Sequence, residues 1–264
     1  MVPEYTLVIA VDEAHLPHLE LVWPNWKQNR PGIFNHQPII AVDSEDGTDI
    51  LDRVQNICPE AFIARWSNPR NSYDPGDGSR WYDPQRQKML SSILYTASSF
   101  VETPYWLKLD LDVLAKDERD DWIDPDWFIG DPAIIGHRWG YTKPAQQMMD
   151  LDKWVSLHPL ELKWLHRNPP LNLIPEENSS LVSHPRIISW CAFFHTTFTQ
   201  DCASSAYGTV EEPLTMPCPS QDGFMFYCAE RGRKGVVRAN MKKRGWVHKS
   251  KLSQVKELLE KWNG

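Results

Sequence analysis

Two aspartates separated by one residue, Asp110 and Asp112, follow directly on the apolar run Tyr105-Trp-Leu-Lys-Leu109. Alternate side chains of an extended segment share a face, so both carboxylates project to the same side. One can then bind a hard divalent cation directly while the other orients a metal-bound water. The chain holds two further Asp-x-Asp pairs, Asp124/Asp126 and Asp150/Asp152, in a polar loop and on a predicted helix. Only the pair at Asp110 ends a buried strand, and position selects it. A pair of solvated aspartates at a strand end is the bland reading of the same residues.

The elements that must position this pair are legible as alternating strands and helices. Thr6 to Val11, Pro38 to Val42, Ala61 to Trp66 and Tyr105 to Leu109 are short β-branched or aromatic runs, each predicted as a buried strand. Leu16, Leu19, Trp23 and Trp26 share a helical face with Pro24 as a predicted kink, and Ile50, Leu51, Val54 and Ile57 repeat with helical period. Asp83-Pro84 predicts an N-capped helix that buries Met89, Leu90, Ile93, Leu94 and Ala97. This alternation implies βαβ units with right-handed crossovers. Asp110 and Asp112 then lie at the carboxyl edge of a parallel sheet, where open α/β sheets bind ligands. Further on, Ala133 to Trp139 and Arg186 to Phe198 are predicted strands, Ala145 to Asn168 and Phe224 to Glu230 helical, and Val236-Val237 a short strand. Ser250 is the predicted cap of a last amphipathic helix.

Bulk properties narrow the class. A 264-residue chain with 41% apolar residues can bury one large core. The five cysteines are odd in number and contain no Cys-x-x-Cys pair, which predicts reduced thiols and a cytoplasmic location. No apolar stretch approaches spanning length, which leaves peripheral membrane contact open. A net charge of −7 speaks against nucleic-acid binding. From Arg231 to Gly264, eleven basic residues face two acidic ones, so that segment carries +9 and the remainder −16. A negative body with a positive tail suits carboxylates that hold a metal beside cations that meet phosphate. Thirteen tryptophans supply apolar rings of the kind on which sugars pack.

The Asp-x-Asp pair at the end of the fourth strand of a βαβ series resembles the GT-A fold of the nucleotide-sugar-dependent glycosyltransferases, loosely those of family 8, over most of the chain. The resemblance implies an α/β, Rossmann-like, mostly parallel central sheet flanked by helices. It implies one domain over residues 1–264, with a donor- and metal-binding half at 1–114 and an acceptor-binding half at 115–264. The reaction implied is transfer of a sugar from a UDP-sugar or GDP-sugar to a hydroxyl of a saccharide or glycoconjugate, with Mn²⁺ or Mg²⁺ as cofactor.

The resemblance also distributes roles. Asp110 and Asp112 bind the metal and the donor, and His248, ahead of the last helix, completes the metal site. Imidazole beside two carboxylates suits Mn²⁺. Val11 and Asp12 lie under the nucleobase and Asp43 faces base or ribose, although both aspartates also fit helix caps in βα turns. Lys249, with Lys242, Lys243 or Arg244, neutralises the departing nucleoside diphosphate. Arg86, beside Arg80 and Lys88, meets the donor from a helix first turn, where a cation needs an anion near it. Gln221 and Asp222 lie near the reacting centre. Asp222 serves as general base in an inverting reaction or positions the acceptor in a retaining one, and a helix N-terminal aspartate is the competing reading. Ser220 stands where the family-8-like pattern has Asp, and Gln221 where the inverting pattern has Glu, so the stereochemical course stays open. Trp190, with Phe194, offers an apolar platform to the acceptor.

Two other enzyme classes share part of the pattern. Haloacid dehalogenase phosphatases place Asp-x-Asp after an apolar strand, but Leu114 stands where they carry Thr or Val, and theirs is the first strand of the domain. Sugar nucleotidyltransferases open with a Gly-rich phosphate loop, whereas Val11-Asp-Glu-Ala-His15 contains no glycine.

Overall fold

The computed structural model describes residues 1–43, 48–66, 93, 96–138, 143–144, 181–182, 187–206, 235–249 and 251–263. β1 (Tyr5–Val11) buries Leu7, Val8 and Ile9 completely, on both of its faces, as expected of a strand covered on each side by helices. The chain leaves it through a single-turn 3-10 helix (Glu13–His15) into α1 (Leu16–Asn29). Leu16, Leu19, Val22, Trp23 and Trp26 form the buried stripe of α1. The helix runs through Pro24; that residue and Glu20, whose carbonyl Pro24 leaves without its helical donor, both face solvent.

β2 (Ile39–Asp43), α2 (Thr48–Ile57) and β3 (Phe62–Trp66) complete two parallel crossovers, with Val8 opposite Ile39 and Ile39 opposite Phe62. β4 (Tyr105–Leu109) lies parallel to β1 on its other side, Tyr5 opposite Tyr105, and every one of its residues is buried. β5 (Val113–Ala115) follows three residues later. β6 (Ile134–Arg138) and a two-residue ladder of β7 (Lys143–Pro144) with β8 (Leu181–Val182) come next. β9 (Ile187–His195) then inserts antiparallel between β4 and β6, and α3 (Thr196–Ala206) leads away from it. β10 (Val236–Ala239), β11 (Trp246–His248) and α4 (Leu252–Asn263) close the chain.

The main sheet runs β10-β6-β9-β4-β1-β2-β3 and is parallel except for β9. This is the mostly parallel, helix-flanked α/β architecture expected from the sequence. Among the described residues no helix is long and apolar enough to cross a membrane.

One predicted element needs correction. The apolar run from Arg186 to Phe198 is not a single strand: it ends at His195 and turns into α3 at Thr196. Two threonines make the change. Thr196 donates its hydroxyl to Thr103 O (2.7 Å), and Thr199 donates back one turn to His195 O (3.0 Å) while accepting from Trp106 Nε1 (2.8 Å). An apolar run that stays buried through the turn carries no periodicity to reveal it.

Candidate active site at the carboxyl edge of the sheet

Val11, Asp12, Asp110, His137 and Trp190 all come to the edge of the sheet where β1, β4 and β6 end and β9 begins. Asp110 N donates to Trp190 O at 2.9 Å, and Val113 N donates to Asp110 O at 3.1 Å, so the turn bearing the two aspartates is tied to β9 on one side and starts β5 on the other.

A nonlocal ladder brings His248 there. β11 pairs antiparallel with β5, Trp246 opposite Ala115 and His248 opposite Val113, and Lys249 N donates to Asp112 O at 2.8 Å. That register sets His248 beside Asp112, with Nε2 3.2 Å from Oδ2. α1 holds the same short strand. Asn25 Nδ2 donates to Ala115 O (3.0 Å) while its Oδ1 accepts from Ala115 N (2.8 Å), and Trp26 Nε1 donates to Val113 O (2.8 Å). Arg30, 1% exposed, donates to the carbonyls of Asn29, Asp117 and Arg244 and lies over the Trp246 ring. A buried guanidinium thus anchors the segment that carries His248 to the end of α1. Gly245 makes the approach possible. It adopts φ +83, and a Cβ there would stand 2.6 Å from Asp117 Oδ1 and 2.8 Å from Arg30 Nη2.

The imidazole of His248 stacks on the indole of Trp190 (centroids 5.7 Å apart, 19° between planes), and His137 meets the same indole at 5.0 Å. Trp190 is 2% exposed. Trp190 thus packs against both histidines and forms a floor beneath His248. Electrostatics divides the pair. The hydrogen bond that His248 donates to Asp112 holds the imidazole above its ordinary range despite its partial burial, with the charges of Asp112 and Asp110 adding to the effect. Burial, with Lys242 and His248 nearby, pushes His137 below that range against a hydrogen bond to the Ala239 backbone.

Asp110 takes a different partner. Lys108, two residues earlier on the same face of β4, donates to Asp110 Oδ1. Among the described residues, Asp112 Oδ1 is buried without a hydrogen-bond partner. A carboxylate oxygen left bare in that way, beside an imidazole nitrogen, is a mixed oxygen and nitrogen donor set of the type Mn²⁺ accepts. Among the described residues no three His, Cys, Asp or Glu side chains converge closely enough to hold a metal ion by themselves. Asp112 and His248 fit a cation as a pair, to be completed by oxygens from a ligand.

At the exit of β1, Val11 is buried and Asp12 caps the 3-10 turn, its Oδ1 accepting from His15 N (2.9 Å) and meeting His15 Nδ1 (2.5 Å). The capping role foreseen for Asp12 is thus filled. His18, one turn into α1, stands within electrostatic reach of both Asp112 and Asp12, and burial beside His15 lowers its pKa. Asp43 ends β2 at the same edge. Of the cations in the basic segment, Arg244 is committed to Asp124 (2.9 Å) and Asp121 O (2.9 Å) and lies over Trp127. Asp124 thus has a structural role, pairing with Arg244 while its Oδ1 accepts from Asp126 N. Lys249 follows His248 directly and Lys242 is close enough to depress both His137 and His248. Arg80, Arg86, Lys88, Ser220, Gln221 and Asp222 lie outside the described residues.

Sequence reasoning missed Lys108, His137, His15 and His18. Lys108 carried the clearest signal, since a lysine inside an otherwise apolar strand demands a buried partner, and Asp110 is the next residue on its face.

No protein-family model and no curated protein matches the sequence. Solved structures do match. The galactosyltransferase LgtC, in complex with donor and acceptor sugar analogues, aligns with a TM-score of 0.53 at 11% identity over 97% of this chain and 95% of that one. An active-site mutant of LgtC gives 0.50 at 10% identity over the same shares. Mouse xyloside xylosyltransferase 1 in its apo form gives 0.48 at 11% identity over 89% and 84%. At these identities the likeness is one of fold, and the fold of this chain is that of the GT-A glycosyltransferases.

Proposed function

We propose that this chain is a metal-dependent glycosyltransferase that moves a sugar from a nucleoside-diphosphate sugar to an acceptor hydroxyl of a saccharide or glycoconjugate. The observation that carries the reading is the Asp112–His248 pair, assembled from distant parts of the sequence at the carboxyl edge of a GT-A sheet, with Asp112 Oδ1 buried and unpartnered among the described residues. A divalent cation such as Mn²⁺, bound there, would offset the charge that develops on the departing diphosphate.

The protein's own groups prepare that chemistry. Asp112 and His248 supply the donor atoms, Trp190 fixes the imidazole plane from below, and Asp110 faces the ribose or the cation beside them. To ligate a cation, His248 would have to give up the proton that its pairing with Asp112 favours. Lys249, adjacent to the pair, and Lys242 meet the diphosphate. Val11, Asp12 and Asp43 border the nucleoside at the ends of β1 and β2. Asp222, with Gln221, either accepts the proton of the attacking hydroxyl or positions the acceptor. The buried thiols of Cys58 and Cys191 fit a reducing, cytoplasmic setting.

The test is calorimetric titration of UDP-, GDP- and related sugars with and without Mn²⁺. Binding of at least one donor should require the metal, with slow donor hydrolysis, and both should vanish in Asp112→Asn. A chain that binds no nucleotide sugar but hydrolyses phosphate monoesters would refute the reading.

A further inference from the structure

Metal-bound imidazoles are ordinarily oriented through their second ring nitrogen, which donates to a carboxylate, a carbonyl or water. His248 is held differently. The one hydrogen-bond partner of its ring among the described residues is Asp112, 3.2 Å from Nε2, and Nδ1 has no acceptor there. A contact at a single nitrogen leaves the ring free to turn about it, since the torsion that carries an imidazole is broad. The second restraint is aromatic. The His248 ring lies over the indole of Trp190 with 19° between planes and 5.7 Å between centroids, an offset stack. Trp190 is itself fixed. It is 2% exposed, its carbonyl accepts from Asp110 N at 2.9 Å, and the ring of His137 packs on its indole at 5.0 Å, tilted by 50°. His137, buried near the end of β6, leaves its own Nδ1 without a hydrogen-bond partner among the described residues, so what it gives the indole is ring surface.

We propose that Trp190 is a positioning residue that holds the plane of the His248 ring for nitrogen ligation and so gives the site a preference for Mn²⁺ over Mg²⁺, with His137 bracing the indole for that task. This rests on the glycosyltransferase reading of the same site. The physical reason is directional. The lone pair of an imidazole nitrogen lies in the ring plane, so whatever fixes the plane fixes the direction in which Nε2 can ligate. Mn²⁺ accepts imidazole beside oxygen donors whereas Mg²⁺ keeps to oxygen, so a correctly turned His248 favours the first and adds little for the second.

The test reads nitrogen ligation directly, by electron spin echo envelope modulation of Mn²⁺ bound to the protein with UDP or GDP, together with competition between Mn²⁺ and Mg²⁺. Wild type should show a nitrogen modulation that His248→Ala removes. Trp190→Leu should lose that modulation and about tenfold in Mn²⁺ affinity, as the loss of an orienting group does, while Mg²⁺ affinity stays within about threefold of wild type. Trp190→Phe, which keeps an aromatic face, should retain both. Unchanged modulation and an unchanged Mn²⁺/Mg²⁺ ratio in folded Trp190→Leu overturn the proposal. If Trp190→Leu does not fold, NMR of the wild type decides: the His248 ring protons should stay shifted upfield by the indole when diamagnetic Zn²⁺ and nucleotide bind, and loss of that shift would mean that the ring leaves Trp190 to ligate. Mn²⁺ bound by wild type without the nitrogen modulation also overturns the proposal but leaves the glycosyltransferase reading standing. No Mn²⁺ binding with either nucleotide would refute that reading and the proposal with it.

Discussion

At the scale of single residues, the site is a set of ionisable groups whose environments drive them apart. His248 is held protonatable by Asp112, while His137, on the far side of the same indole, is held neutral by burial and by the charges of Lys242 and His248. The sign of the His137 effect on folding follows directly. Its pKa is 6.5 in the unfolded chain and lower in the folded one, so the unfolded state takes up the proton first as pH falls. The stability this residue contributes is complete above pH 6.5 and is lost as pH drops through the window between 6.5 and its folded value. His137→Phe keeps the ring against Trp190 but cannot titrate. Urea midpoints measured from pH 8 to pH 5 should fall more steeply below 6.5 for wild type than for the variant. Parallel curves would mean that His137 keeps its ordinary affinity for protons in the fold.

At the scale of elements, what the sequence revealed and what it hid have separate physical causes. β4 was legible to the residue because a continuous apolar run is cut off by Asp110, and the helical stripe of α1 was legible because Leu16, Leu19, Trp23 and Trp26 repeat at helical spacing. Asp112 was singled out by residue type and place in the chain and His248 by the resemblance to the GT-A fold, and the structure brings the two side chains together. What carried no local signal was the ladder between β5 and β11. Trp246-Val-His248 is too short to show a period, and its partner strand lies in the other half of the chain. Lys108 and His137 were hidden for a related reason, since their roles depend on neighbours supplied by other strands. The β5/β11 ladder depends on Gly245, whose positive φ and crowded surroundings leave no room for a side chain. Gly245→Ala should cost about 1–3 kcal/mol of stability through the strained backbone alone. Because the shift also displaces Arg30 or Asp117, it should weaken Mn²⁺ binding about tenfold, as disturbed supporting contacts at metal sites do. Urea unfolding and Mn²⁺ titration of the same preparation check both. A stability loss with unchanged metal affinity would mean that His248 is placed independently of this turn.

At the scale of the molecule, the order of the sheet explains why one edge gathers the chemistry. β9 runs antiparallel between β4 and β6, so its first residues, not its last, join the carboxyl ends of its neighbours, and Trp190 arrives beside Asp110 and His137. β11 then fastens the C-terminal segment across the motif, with α4 packed on α1 behind it and Val255 fully buried. The two halves of the sequence are joined at the site itself, so a ligand bound there resists unfolding of the whole. Linkage gives the size: at a free concentration one hundred times its dissociation constant, a ligand that binds only the folded state adds about 2.7 kcal/mol. For a chain of this length that corresponds to a rise in Tm of about 5–10 °C. Mn²⁺ together with the cognate nucleoside diphosphate should produce this rise in differential scanning calorimetry. Mn²⁺ alone should produce much less, because among the described residues no three His, Cys, Asp or Glu side chains converge to hold a metal ion, and Asp112→Asn should abolish the combined effect. An equal rise with the metal alone would mean that the protein completes the cation's coordination without the nucleotide.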